Sequence, residues 1–112
     1  MIVSINNFDG NAQALSALLN STPILIGLVL PNGDSICLDR RDNHFGGYKP
    51  GNVISVFYLE EEDDDSAMVV ETEYFSPDNI DKAVQAAIIR FNTNGSFIGS
   101  LSQSLDDILE KD

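Results

Sequence analysis

Residues 52–75 read NVISVFYLEEEDDDSAMVVETEYF. Two runs rich in β-branched and aromatic residues flank an unbroken block of six acids: Glu60, Glu61, Glu62, Asp63, Asp64 and Asp65. In the first run, residues 52–59, Val53, Phe57 and Leu59 face one way, and Ile54, Val56 and Tyr58 the other. In the second, residues 67–75, Met68, Val70, Thr72 and Tyr74 share a face while Glu71 and Glu73 point to the opposite one. Apolar residues at period two mark β-strands, and polar residues on one side mark a sheet with one face partly wet. The stretch therefore predicts a β-hairpin with a dense negative charge at its tip.

Upstream, residues 24–30 form a nearly continuous apolar run, too short for a typical helix and suited to a buried central strand. Pro31-Asn32-Gly33-Asp34 then supplies turn chemistry, because Asn-Gly accepts positive φ. Residues 35–39 return as the second arm, with Ile36 and Leu38 on one face and Cys37 on the other. Residues 1–5 are a candidate short strand. Residues 9–20 carry Ala12, Leu15, Leu18 and Leu19 at helical spacing, with Asp9 or Asn11 to cap the start and Pro23 beyond the end. Residues 40–51, with Gly46-Gly47 and Lys49-Pro50-Gly51, read as a loop.

Ser76-Pro77-Asp78-Asn79 is a helix start, since Ser can cap and Pro is tolerated in the first turn. Asp78 and Asp81 complement the helix dipole there. Ile80, Val84, Ala87, Ile88 and Phe91 form the buried stripe of a helix over about 77–93, and Gly95 is its stop. In residues 96–112, Ile98 and Leu101 suit a short strand and Leu105 to Leu109 a helical turn. The predicted fold is a single α+β domain over residues 1–112, a mainly antiparallel sheet with helices at about 9–20 and 77–93 packed on one face.

Bulk composition fits one packed domain. The chain has 112 residues, 43% of them hydrophobic, and a chain this long buries roughly two thirds of its unfolded surface. The single cysteine gives no internal disulfide and suits a reducing cytoplasm. No run of about 18 apolar residues is present to span a membrane. No basic start precedes an apolar core, so no signal peptide is expected.

Charge narrows the partners. The chain holds 18 Asp+Glu against 6 Lys+Arg, a formal charge of −12. Such a surface repels nucleic acid and anionic membrane and attracts basic proteins. The only basic pair, Arg40-Arg41, is flanked by Asp39 and Asp42. At physiological salt the Debye length is about 8 Å, so the acids of the tip repel one another strongly. Such a block is either a solvated turn that guards a sheet edge or a surface neutralised by a cationic partner.

Catalytic and metal readings are weaker. His44 and Cys37 are the only residues of their kinds. They could pair as base and nucleophile, but Cys37 alternates with apolar strand residues as a packing thiol would. One Cys and one His cannot complete a structural zinc site. The acid run lacks the spaced ligands and internal Gly of a calcium loop. Gly46-Gly47 lacks the Lys and Ser/Thr of a phosphate loop. No enzyme, cofactor or metal is expected.

The closing third carries a resemblance. Pro77, a helix with small residues Ala83 and Ala87 ending in Phe91, Gly95 one turn later, and then Phe97-Ile98-Gly99-Ser100-Leu101 resemble the last segment of a family of bacterial immunity proteins. These neutralise polymorphic toxins, including those of contact-dependent growth inhibition. The preceding order of helix, hairpin, Gly46-Gly47-Tyr48 loop and two strands is similar too. The chain differs in having Gln103 where the family often has Trp, and in lacking a Pro near Ile98 or Gly99.

The single cysteine and the lack of a signal peptide predict a place in the cytoplasm. Since nothing in the sequence demands a dimer, a monomer is expected before it binds a partner. The resemblance implies a toxin-binding domain without catalytic residues, a basic nuclease being one candidate for the cognate toxin. Acidity agrees with this, because a nuclease holds phosphate in a basic cleft that an acidic partner can cover. Glu60 to Asp65, backed by Glu71 and Glu73, with Asp39 and Asp42 secondary, are the expected partner-binding residues. The alternative is an acidic adaptor or regulatory binding protein whose charged turn only confers solubility.

Overall fold

The computed structural model describes residues 2–21, 23–41, 53–61 and 67–93. Five strands form one sheet in the order β1 to β5: Ile2–Ile5, Leu25–Val29, Ser35–Asp39, Ile54–Glu61 and Ala67–Phe75. Helix α1 (Ala12–Leu19) lies between β1 and β2, and α2 (Ile80–Asn92) follows β5 after a 3-10 turn at Pro77–Asn79. The strands β2 to β5 form an antiparallel meander. The first strand is parallel to β2, with Ile2 opposite Leu25 and Ile5 opposite Leu28. A parallel pair needs a crossover, and α1 provides it. The fold is therefore α+β, mostly antiparallel, with a parallel strand added at one edge.

Cross-strand register groups the core. Ile26, Leu28, Ile36, Leu38, Ile54, Val56 and Phe75 share one sheet face. They are buried in a single cluster with Leu15 and Leu19 of α1 and Ala83, Val84, Ala86 and Ala87 of α2. Helix α2 contacts β3, β4 and β5 as well as α1. On the opposite face Cys37 and Phe57 are paired across β3 and β4 and also buried.

Local chemistry sets the ends of the elements. Asn11, rather than Asp9, caps α1: its side-chain oxygen accepts from the Ala14 amide at 3.2 Å, and Asp9 in turn accepts from the Asn11 amide at 3.0 Å. Leu15 and Leu19, one turn apart, are buried, whereas Ala12 is exposed and lies outside the stripe. Arg40 donates to the Leu19 carbonyl, placing a cation at the C-terminus of α1, where the helix dipole favours it. Ser76 does not cap α2 with its side chain; its hydroxyl oxygen accepts from the Asn79 side-chain Nδ2 at 3.2 Å. The buried face of α2 is rotated from the expected stripe toward Ala83, Ala86 and Arg90, while Ile80, Ile88 and Phe91 pack at its margin. The predicted stop at Gly95 and the readings of residues 96–112 lie outside the described residues.

The β2–β3 turn is a three-residue loop. The Gly33 amide donates to the Leu30 carbonyl at 3.0 Å, the Leu30 amide donates to the Asp34 carbonyl at 2.7 Å, and Gly33 has φ +94°. This is a tight turn closed by a residue in the left-handed region, which favours glycine. A Cβ at Gly33 would meet nothing within 4 Å, so only backbone conformation opposes a side chain there. Gly33→Ala is expected to cost about 1 kcal/mol, read as a fall in melting temperature of about 4–8 °C with the fold retained; an unchanged melting temperature would contradict the conformational argument.

Candidate functional site

The sheet has an acidic end. Strand β4 terminates in Glu60 and Glu61, both exposed, and register sets Glu60 opposite Met68 and Glu61 opposite Ala67. Met68 and Val69 are large apolar residues left 49% and 54% accessible. Glu60 and Met68 share one face of the hairpin, and Leu59, Glu61 and Val69 the other. Glu71, further along β5, is also exposed. The described cations lie elsewhere: Arg40 and Arg41 follow the opposite end of β3, Lys82 sits in the first turn of α2, and Arg90 is buried. This end therefore combines negative charge with open apolar surface.

The β2–β3 turn braces it. Tyr58 of β4 donates its hydroxyl hydrogen to Asp34 Oδ2. The Glu61 amide donates to Asp34 Oδ1 at 3.0 Å. The Asn32 side chain donates to Asp34 Oδ2 at 3.1 Å and to the Tyr58 oxygen at 3.3 Å, and its own oxygen accepts from the Asp34 amide at 3.0 Å. One carboxylate thus ties the tip of the first hairpin to the last residues of β4. The Tyr58 hydrogen bond, with help from the Glu61 amide, holds the Asp34 carboxyl below its usual value of 3.8. The same bond raises Tyr58 above its usual value of 10.0.

A second feature lies deeper. Arg90 is 1% exposed and forms an ion pair with Glu73, which is also buried. Its Nη1 donates to the Val56 carbonyl at 3.2 Å and to the Glu71 carbonyl at 3.1 Å. Between Val56 and Tyr58 the β4–β5 register slips: Val56 pairs with Glu73, but Tyr58 pairs with Val70. Glu71 and Thr72 together oppose Phe57, a β-bulge with Glu71 at φ +52°. The guanidinium sits against both strands at this irregularity. Burial lowers the Arg90 pKa, and the nearby Glu71 carboxylate opposes that change.

The expected binding residues thus separate. Glu60, Glu61 and Glu71 are exposed together on the β4–β5 hairpin. Glu73 does not share their surface: the bulge breaks the alternation that would have aligned it with Glu71, and it faces Arg90 in the interior. Asp39 belongs to the far end of β3, where it binds the Arg41 side chain through both oxygens at 3.0 and 3.1 Å. Glu62, Asp63, Asp64, Asp65 and Asp42 lie outside the described residues, as does His44. The Cys37 thiol is pushed up to about 12, chiefly by burial, so it stays protonated at neutral pH. No group of three or more His, Cys, Asp or Glu side chains suited to a metal ion occurs among the described residues. No helix among them is long and apolar enough to cross a membrane.

Sequence reasoning missed two parts of this arrangement. Arg90 lay in view as a cation three and four residues after Ala87 and Ala86, within the apolar stripe of α2. Asp34 and Tyr58 are 24 residues apart, and nothing local links them. An open groove of about 430 Å³, lined by Asn6, Asn7, Val29, Leu30, Pro31 and Phe91, lies beside the ends of β1 and β2. Its described lining carries no titratable group. Comparison with protein-family models, with characterised proteins and with solved structures returned no match.

The Asp34–Tyr58 contact has a defined pH window. A lowered carboxyl pKa contributes stability above about 3.8 that is lost as pH falls through the folded value. A raised phenol pKa contributes stability below about 10 that is lost as pH rises through the folded value. Tyr58→Phe should therefore destabilise the fold between about pH 4 and 10, with the difference shrinking at both extremes. A carbon-detected NMR titration should show the Asp34 midpoint moving up in the variant; an unmoved midpoint would show that Tyr58 does not govern it.

Proposed function

We propose that this domain is a non-enzymatic immunity protein that neutralises a cognate bacterial toxin domain by docking it on the acidic end of the β4–β5 hairpin. The observation that carries the reading is Met68 and Val69 standing open beside Glu60 and Glu61. Interfaces need apolar anchors for affinity and complementary charge for rate and orientation, and this end of the sheet offers both. With −12 overall, a second copy of the chain would be repelled and a cationic protein attracted. The Pro77-to-Leu101 resemblance supplies the partner class, a toxin domain with a basic surface such as a nuclease cleft. The site of action is then the cytoplasm.

One observation favours a second reading. Strand β5 is an edge in the sheet of described strands, and exposed apolar edges promote sheet-to-sheet association. Glu60 and Glu61 would then protect this edge in an adaptor that binds elsewhere.

Co-purification with the C-terminal domain encoded immediately upstream separates the readings. A stable complex that also abolishes that domain's toxicity supports immunity. In that complex, Glu60→Lys with Glu61→Lys should slow association by about tenfold or more at low salt, with a smaller loss at high salt. Equal association rates for the variant and the native protein across a salt series, together with self-association of the variant, would favour edge protection.

A further inference from the structure

The buried Arg90–Glu73 pair needs a reason, because placing an ion pair in a small core brings a desolvation cost that apolar side chains avoid. Glu73 Oε2 has no hydrogen-bond partner among the described residues, so the carboxylate is not there to complete a network of its own. What the guanidinium does satisfy is the backbone at the bulge, through the carbonyls of Val56 on β4 and Glu71 on β5.

That bulge decides what the end of β5 displays. Before it, Ile54, Ser55 and Val56 pair with Phe75, Tyr74 and Glu73. After it, Tyr58, Leu59, Glu60 and Glu61 pair with Val70, Val69, Met68 and Ala67. Continuing the first register without the extra residue would set Glu60 opposite Val69 and Glu61 opposite Met68. A one-residue slip moves every side chain of a strand segment to the other face. Met68 would leave the face of Glu60, Val69 would leave that of Glu61, and Glu71 would come opposite Tyr58. The bulged register also holds Glu71 in the left-handed region, which a non-glycine residue occupies at a cost. Something must offset that cost, and Arg90 is the group in contact with the Glu71 carbonyl.

We propose that Arg90 is a positioning residue for the docking surface: its guanidinium locks the β5 bulge and thereby sets which faces of the hairpin carry Met68, Val69 and the acids. The role of this surface rests on the function proposed above, whereas the register device can be tested without any partner. Glu73 neutralises the guanidinium and aims it at the two carbonyls. The acids that meet the partner thus owe their arrangement to a cation that never touches it.

The test removes both charges at once with Arg90→Met/Glu73→Leu, because an apolar replacement of a buried pair keeps the core filled and leaves no lone charge. Cross-strand NOEs then read the register. The native protein should show Glu60 opposite Met68; the double variant should show Glu60 opposite Val69, wholly or as a second population. Adding Glu71→Gly, which relieves the left-handed strain, should restore the Glu60–Met68 contact. Retention of the native contact in the double variant would overturn the proposal and leave Arg90 a purely structural residue. Should the double variant not fold, Arg90→Lys serves the same reading: a point charge cannot reproduce the planar fork, so a register wholly native in that variant would also overturn it. Against the upstream-encoded domain, the double variant should associate at least tenfold more slowly, with recovery on adding Glu71→Gly judged relative to Glu71→Gly alone. If the native protein binds no such domain, the immunity reading fails while the register result still decides the role of Arg90.

Discussion

The contact of the Arg90 guanidinium with two carbonyls on neighbouring strands is the constraint on which the rest of the structure turns. A cation buried in the core of a small acidic protein is costly. Its Nη1 donates to one carbonyl on β4 and one on β5 at the Glu71 bulge, and α2 contacts both strands to deliver the side chain. The link is mutual. Breaking the pair from one side would leave a buried charge, a loss of about 3–5 kcal/mol in comparable cases. Helix α2 is thereby tied to one particular register of the last hairpin as well as to the sheet's apolar face.

From that register follows the character of the exposed end. Long-range attraction by Glu60, Glu61 and Glu71 suits fast encounter, and the apolar surface of Met68 and Val69 suits retention once contact is made. Asp34 contributes from the neighbouring turn by fixing the last amide of β4 through Glu61 and the strand itself through Tyr58. Hydrogen-bonded strands and a braced turn carry the described part of the proposed site, an arrangement that would limit the ordering cost of docking. The groove near Asn6 and Asn7 has an open shape and no charge in its described lining.

Much of the fold was legible because local chemistry and global pairing agree. The apolar run at 24–30, the Pro-Asn-Gly-Asp turn and the alternation on either side of the acids each name a strand or a turn without long-range information. Ser76-Pro77 marks the entry to α2 even though the Ser76 hydroxyl does not cap the helix as expected. The parallel pairing of β1 was not legible, since it is a relation between segments some twenty residues apart. The candidate site was half legible. Glu60, Glu61 and Glu71 are exposed as the pattern implied. Glu73 is not, because it lies on the face of Phe75 opposite Val56, which is the core face, and the bulge turns only the later residues, Glu71 among them, out of that alternation. Arg90 was read past for a related reason: charge ordinarily marks the solvent side of a helix, and here it marks a backbone defect to be filled.

The most direct test of the docking account is an amide chemical-shift map of the labelled protein on addition of the proposed partner, the C-terminal domain encoded immediately upstream. The account predicts perturbations concentrated at residues 58–61 and 67–71, extending to Asn32 and Asp34 in the adjoining turn. Perturbations confined instead to Asn6, Asn7, Leu30 and Phe91 around the groove would contradict it.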